Sequence, residues 1–550
     1  MFIQHSKIFK CVLAFVMCSQ IPSGLPQPSG ENPDPPQTVN VVVMVPFEGE
    51  YLFRRDVIQP GVEYALRTLR RNDGPLTRDL QFNVTYRNSQ CNRKAALEAV
   101  DFYYGQCGTS DVTNSMTSPL LFLGPVCNDA TSMVATFAGK WNVPVISPGS
   151  HAAWIIPGEE YPMLTRITPS YIDLAYFIHN VFVMLNHGVT YPVHLIYEDR
   201  EEGKTTESEC HNLMQAVYSV FHNDAVVLQV TTRHAISDVT FHAESFIADI
   251  GYPNVVLMCA SSPLVRKVML AASAHGVAVP GRNEWYAIDL HNDSYYAAGA
   301  WKQGDEQDLK AKIAYRALQV ITFIVTKTPE FNRFSTTILN EYRSRGVTHS
   351  ETQVNEYVEG FHDAIMLYAR ALNATMNQGL DIRNGTSVSA NMRNITFQGI
   401  SGPVTIDLYG DRNGDYSIIG MKNIETGTFE KVIDYYGGSR SRFTFYPGKN
   451  RDTKIKPFRM PPFSEPVKED TDFNHKALAG VLGTLAGVVM CCLLVGGPLC
   501  YRTKCSSSHN NDGMSVPGFN HNQPDAVHIP LREDGSVSTC MSGLDDDMKV

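Results

Sequence analysis

The chain has 550 residues, enough for roughly two to four compact units, and a net charge of −10. Its 43% hydrophobic and 19% charged residues are ordinary for folded protein, and the acidic balance gives no footing for nucleic-acid binding. The class is set by two apolar stretches at opposite ends.

Lys7 and Lys10 precede the apolar run Cys11 to Met17, and Ser19, Ser23 and Gly24 follow. Basic, apolar and small segments in that order read as a secretory signal peptide over residues 1–24, too short to cross a bilayer. Pro26, Pro28, Pro33, Pro35 and Pro36 then make a Pro-rich spacer over residues 25–38, ahead of an ectodomain assigned to residues 39–450.

Within the ectodomain strands and helices alternate. Val41 to Val45 is a continuous apolar run, as in a strand buried on both faces, and Gly61 to Leu69 can form a helix over it. Leu120–Leu123, Val143–Ile146, His194–Tyr197 and Val255–Met258 read as further buried strands. A helix should follow the last, with Ser262 as cap, Pro263 in the first turn, Leu264, Val268 and Ala272 on one face, and Gly276 at its end. Another amphipathic helix runs from Gly360 to Gly379, with Phe361, Ile365, Tyr368 and Leu372 on one stripe. Such alternation over this length predicts an α/β fold of two lobes with a cleft between them.

A juxtamembrane segment over residues 451–476 leads to the uncharged stretch from Ala477 to Tyr501, long enough to cross the hydrocarbon core. Arg502 and Lys504 follow it directly, whereas Glu465, Glu469, Asp470 and Asp472 precede it. That bias puts the ectodomain outside the cell and residues 502–550 in the cytosol, a single-pass arrangement in the plasma membrane. The tail has four basic residues (Arg502, Lys504, Arg532, Lys549) against seven acidic, a net of −3, and is rich in Gly, Ser, Asn and Asp, a composition of disordered chain. It is too short for a kinase-like or cyclase domain. Cys500 and Cys505 flank the inner membrane face and can carry palmitate or stand inert.

Of the 12 cysteines, the ectodomain keeps Cys91, Cys107, Cys127, Cys210 and Cys259, an odd number in an oxidising compartment. Five N-x-S/T glycosylation acceptors, Asn83, Asn292, Asn373, Asn384 and Asn394, all fall in the ectodomain. Catalytic motifs do not turn up: there is no P-loop, dinucleotide fingerprint, nucleophile elbow or zinc-ligand spacing. His362 and Asp363 lack a third partner and read as capping or buried hydrogen-bonding groups. Asp411 and Asp415 resemble part of a calcium loop without its final acidic ligand, and read as a strand-linking turn.

Several blocks carry a family resemblance: Leu123-Gly124-Pro125-Val126-Cys127, Met258-Cys259-Ala260-Ser261-Ser262, Trp301-Lys302-Gln303-Gly304-Asp305, Tyr357 to Ala364, Asn394 to Gly399, Gly410 to Asp415, and Leu531-Arg532-Glu533-Asp534 in the tail. In this order they resemble the natriuretic peptide receptors, most of all the clearance type that has no cyclase. The resemblance spans roughly residues 39–445 together with the membrane stretch and the tail fragment. It implies a type I periplasmic-binding-protein-like ectodomain, a homodimer through the membrane-distal lobe, and disulfides Cys91–Cys127 and Cys210–Cys259. Cys107 has no counterpart and is a free thiol or a link between chains.

The resemblance also implies a chloride ion in the distal lobe, at the Ser89 hydroxyl and the amides of Val126 and Cys127, where a helix N-terminus attracts an anion. For the ligand, a secreted peptide hormone, Glu160, Tyr161 and Tyr197 match contact positions. His211, Asn128, Asp129 and Thr136 depart from the pattern, with His211 and Asp129 kept as candidate contacts. An inhibitory G protein is the implied cytosolic partner, through basic clusters that this tail lacks. Two functions follow: a receptor that clears a peptide hormone by internalisation, or a binding module for another peptide or a small amino-acid-like molecule in the interlobe cleft. No enzymatic activity is expected.

Overall fold

β1 (Gln37–Val45) is the centre from which the first lobe is built. It lies between β2 (Leu80–Asn88) and β3 (Leu120–Leu123) in a five-stranded parallel sheet completed by β4 (Val145–Ser147) and β5 (Leu164–Arg166). Successive side chains of a strand point to opposite faces, so the unbroken apolar run serves two cores at once. Val39, Val41, Val43 and Val45 pack with α1 (Arg55–Leu69), α9 (Pro329–Arg345) and α10 (Glu356–Asn377). Val42 and Met44 face α2 (Ala95–Gln106) and α3 (Asn128–Trp141). The computed structural model describes residues 37–49, 51–70, 80–106, 119–158, 160–185, 191–199, 208–223, 228–236, 242–248, 250, 254–290, 300–324, 328–347, 354–438 and 442–446. The signal peptide, the spacer up to residue 36, Cys107, Asn292, the juxtamembrane segment, the stretch 477–501 and the tail with Cys500 and Cys505 lie outside these. Among the described residues, no helix is long and apolar enough to cross a membrane.

The second lobe is an eight-stranded mixed sheet ordered β15-β14-β13-β10-β9-β8-β6-β7. Its parallel half comprises β6 (Tyr191–Glu198), β7 (Leu228–Ile236), β8 (Val255–Cys259), β9 (Glu284–Ile288) and β10 (Leu318–Phe323). β13 (Asp415–Asn423), β14 (Thr428–Tyr436) and β15 (Arg442–Phe445) extend it antiparallel. The helices of this lobe are α4 (Tyr171–Leu185), α5 (Glu209–Asn223), α6 (Ala243–Ala248), α7 (Ser262–Ala274) and α8 (Asp308–Ala314). In the first lobe, α11 (Gly385–Ala390) and the hairpin of β11 (Ile395–Gln398) and β12 (Pro403–Ile406) pack beside α10.

The expected α/β architecture of two lobes is present, with differences at element edges. β1 begins at Gln37, two residues inside the expected spacer. The helix over β1 starts at Arg55 rather than Gly61 and runs through Pro60. Gly61 is needed there because a Cβ would sit 2.6 Å from the Val358 side chain of α10. The third strand starts at Val145, because the Val143 amide instead donates to Ala138 at the end of α3. At α7 the cap is Ser261, with Ser262 inside the helix, while Leu264, Val268 and Ala272 are buried as expected. α10 begins at Glu356, capped by the Asn355 side chain, which accepts from the Val358 amide. His362 and Asp363 therefore lie inside the helix. They are buried and bonded to each other at 2.8 Å, and Asp363 accepts from the Ile400 amide beyond β11.

The chain crosses between the lobes three times, from β5 to α4, from β10 to α9 and from β12 to β13. The first and third crossings are bonded side by side. Arg166, buried at the end of β5, holds the Asp411 carboxylate in a two-pronged ion pair of 2.5 and 2.6 Å. Its remaining donor reaches the carbonyls of Ser150 and Ala152, and its amide donates to Gly410. Gly410, at φ +107, is required because a Cβ would press on the Leu164 carbonyl. Arg412 in turn donates to the Ile167 carbonyl at 3.1 Å. Asp411 thus serves as a partner of Arg166, and Asp415, at the start of β13, accepts from the Gly437 amide. The segment links strands, and among the described residues no His, Cys, Asp or Glu group is placed to hold a metal. Removing one partner strands the other charge, so Asp411→Ala should lower the unfolding free energy by about 3–5 kcal/mol in urea titrations of the ectodomain.

Candidate functional site

In the first lobe the ends of β1, β2 and β3 converge on one loop cluster. Gly124, at φ +86, lies against the Met44 carbonyl of β1 too closely for any Cβ. Ser89, fully buried, follows β2, and its amide donates to Val45. Gln90 and Cys91 take left-handed backbone angles, which aim Cys91 at Cys127, and the two are joined in a disulfide. The Ser89 hydroxyl accepts from the Cys91 amide at 3.4 Å. Cys127 is the residue before α3, and no side chain caps the helix there. Uncapped amides at a helix start beside a buried hydroxyl are suited to an anion.

In the second lobe β6 and β8 run in parallel register with Tyr197 beside Cys259. Cys259 is bonded to Cys210 at the start of α5, and His211 follows. The rings of Tyr197 and His211 meet edge to face at 5.5 Å. The approach is fixed by backbone contacts: the His211 amide donates to the Ser208 hydroxyl, which donates to the Glu198 carbonyl. The Glu198 carboxylate accepts from Ser261 at 2.6 Å, tying the start of α7 to the same point.

Glu160 and Tyr161 lie in the first lobe, in a turn that closes through a bridge from Pro157 to Tyr161. Glu160 is exposed, while Tyr161 is half-buried, and burial, followed by the Glu160 charge, raises its phenol above the usual range. Gly158 in this turn lies against the backbone of Tyr409, so the turn borders the segment after β12. Leu408 is 60% and Tyr409 37% exposed, and Trp154 on the same loop is 40% exposed. Sequence reasoning missed these three. Nothing in their spacing marks them, because Leu408 and Tyr409 reach the turn only through the third crossing. Among the described residues, no hydrogen bond or ring contact joins the Glu160–Tyr161 turn to the Tyr197–His211 pair.

The departing positions have structural partners of their own. The Asn128 side chain accepts from the Ala152 amide, Asp129 pairs with Arg93 at 3.5 Å, and Thr136 bonds back to Ser132.

The family model for the receptor family ligand binding region matches residues 57–424. Atrial natriuretic peptide receptor 3 of Bos taurus is 35% identical over 470 residues, 82% of this chain and 83% of its own. The Homo sapiens receptor 3 is 34% identical, with 82% of each chain covered. The chain belongs to the natriuretic peptide receptor family. Atrial natriuretic peptide receptor 2 of Rattus norvegicus is 25% identical over 75% of this chain but only 38% of its own length.

As a natriuretic peptide receptor family member, the chain carries its acceptors on varied supports. Asn83 is exposed on edge strand β2, with its amide on Asn40. Asn384 caps α11 through its oxygen, and exposed Asn394 takes a left-handed angle. Asn373 sits within α10, beside the fully buried Thr375 whose hydroxyl donates to Ala371. The Cys210–Cys259 bond closes a loop of separation 49 behind the Tyr197–His211 pair. Replacing both cysteines by Ser should cost about 4 kcal/mol of stability by chain entropy, measurable by thermal unfolding, and should reduce surface expression.

Proposed function

We propose that the chain is a single-pass plasma-membrane receptor that binds a secreted peptide hormone and clears it by internalisation. The carrying observation is exposed Tyr409 bordering the turn of acidic Glu160, with exposed Leu408 and Trp154 on the two adjoining segments. Aromatic and aliphatic anchors beside a carboxylate fit a cationic, partly apolar peptide, and Tyr gives contact area at low entropic cost. Tyr197 and His211 supply a second aromatic patch on the other lobe. The match covers 83% of receptor 3 against 38% of receptor 2, which supports the clearance-type reading.

Homodimerisation through the first lobe, the one from which the chain does not leave toward residue 477, is supported by the outer face of α2 and α3. Leu97 is 67% and Tyr104 59% exposed there, and Tyr103 and Trp141 stack at 4.3 Å beside them. Ser89 and the amides of Val126 and Cys127 would hold a chloride ion. Bound there, it would supply negative charge to the start of α3 and tie that helix to the loop after β2. An inhibitory G protein remains the proposed cytosolic partner.

A second reading, a small amine-bearing ligand between the lobes, is favoured by His151, Tyr171 and Tyr357. Their rings lie 5.2 and 6.3 Å from His151, and the Tyr171 hydroxyl donates to Glu209 at 2.8 Å. Saturable binding of a free amino acid without peptide competition would favour it over the hormone.

Secreted peptides screened against the glycosylated ectodomain should yield a ligand whose affinity drops about tenfold or more in Tyr409→Ser and Tyr197→Ala, the range of a lost anchor. Leu97→Glu with Tyr104→Glu should turn a dimer into a monomer in analytical ultracentrifugation. Cells expressing the full chain should deplete the peptide from the medium with no rise in cyclic GMP, and a rise in cells without another cyclase receptor would overturn the reading.

A further inference from the structure

We propose that the end of the second lobe farthest from the lobe crossings rests on the outer leaflet of the membrane, with Leu309, Ile313 and Ile424 entering its headgroup region and the basic side chains beside them meeting lipid phosphates. The inference rests on the single-pass reading above and adds a lipid surface to the peptide as a second partner. The crossings join this lobe where β10 ends and β13 begins, at the Phe323–Tyr416 pair. The parallel strands start at the opposite end, where Glu284 is in register with Val255 and Leu318 with Trp285. The turn between β13 and β14, the residues just before β10 and the loop from α7 to β9 all lie at that end. β15 runs toward it too: Arg442 pairs with Tyr436, Phe445 with Ile433, and the Tyr446 amide donates to Val432. The chain therefore leaves this lobe heading for that end, with residues 447–476 between it and the uncharged stretch.

There α8 turns two aliphatic side chains to the outside. Leu309 and Ile313, four positions apart and so neighbours on one helix face, are 69% and 51% exposed. The helix is firmly held. Arg266, buried in α7, pairs with Asp305 and Asp308 and donates to the Trp301 carbonyl. The Asp308 carboxylate also accepts from the Gln303 and Gly304 amides. The Trp301 indole donates to the Gly427 carbonyl at 2.9 Å and the Lys312 ammonium to the Glu425 carbonyl at 2.5 Å, which fastens α8 to the turn between β13 and β14. Ile424 is exposed on that turn, and Val279 is exposed on the loop before β9.

Aliphatic groups fixed outward leave water only when something apolar covers them. Their chemistry favours lipid over protein. The exposed patch is Leu, Ile and Val, whereas protein hot spots draw on Trp, Tyr and Arg and disfavour Leu and Val. Arg282, Lys310 and Arg316 are exposed beside these residues, with Glu425 the opposing charge on the turn. Long basic side chains lay their stems on apolar surface and hold their charge at the level of the phosphates, while the aliphatic ones reach toward the acyl boundary. A weak contact suffices, because anchoring in the same bilayer gives this end a high local concentration beside it. The contact fixes the tilt of the ectodomain on the membrane, and with it the height at which the hormone patches stand.

The test uses the full chain in phosphatidylcholine nanodiscs, with a spin label introduced through an unnatural amino acid at exposed Thr426 or, in a second sample, at exposed Lys140 of the first lobe. Collisions with oxygen, which concentrates in lipid, and with a water-soluble nickel chelate report depth. The Thr426 label should gain oxygen collisions and lose nickel collisions, as at a depth of about 5–10 Å, while the Lys140 label stays aqueous. Leu309→Ser with Ile313→Ser and Ile424→Ser should return the Thr426 label to water, and Ile313→Ser alone should return it in part. A Thr426 label as open to nickel as the one at Lys140 would overturn the contact and leave the receptor reading intact. Shielding from both reagents, with spin–spin broadening, would assign the patch to a second copy of the chain and overturn it as well. A chain that fails to enter the disc would overturn the single-pass reading and this inference together.

Discussion

The Arg166–Asp411 ion pair binds two of the three crossings between the lobes to each other. Arg166 ends the last strand of the first sheet, and Asp411 sits on the segment that feeds β13 of the second. A guanidinium with two parallel bonds to a carboxylate fixes direction as well as distance, and its remaining donor also holds the Ser150 and Ala152 carbonyls. Because the charge is buried, either partner alone would be strongly unfavourable, so the crossings stay paired. The loop that carries His151 and Trp154 is thereby set in register with the segment that carries Leu408 and Tyr409.

That registration creates a surface at the turn around Glu160. Its members come from the loop after β4, the turn before β5 and the segment after β12. The second aromatic patch has a different support. Tyr197 and His211 are placed by a parallel strand pair and a disulfide, with Ser208 and Glu198 closing the approach. One patch depends on the joint between lobes and the other on local covalent and backbone constraints. A change in lobe orientation would move the first relative to the second without disturbing either internally.

The positions that depart from the family pattern illustrate how a site can change while its scaffold stays. Asn128 uses its side-chain oxygen to hold the Ala152 amide, on the same loop whose carbonyls Arg166 grips. Asp129 faces Arg93 across the disulfide loop, largely in solvent, where such a pair contributes little. The first is therefore architectural and the second is available to a ligand, a distinction invisible in the residue types.

The sequence by itself determined the alternation of strands and helices and the strands of both cores, because unbroken apolar runs are local signals. It also carried the family, through blocks such as Leu123 to Cys127 and Met258 to Ser262. Element starts were less legible. Pro60 reads as a helix breaker, yet its helix continues, since burial against α10 outweighs one missing bond. His362 and Asp363 looked like the start of a helix whose true cap, Asn355, lies seven positions before His362. Only the tertiary structure decided that Asp411 answers Arg166, that Tyr409 borders the turn of Glu160, and that Asp173 receives the Gly414 amide and the Tyr416 hydroxyl. These are contacts between residues more than a hundred positions apart, made by chain crossings, and no local pattern of residue types encodes where a crossing will bring its neighbours.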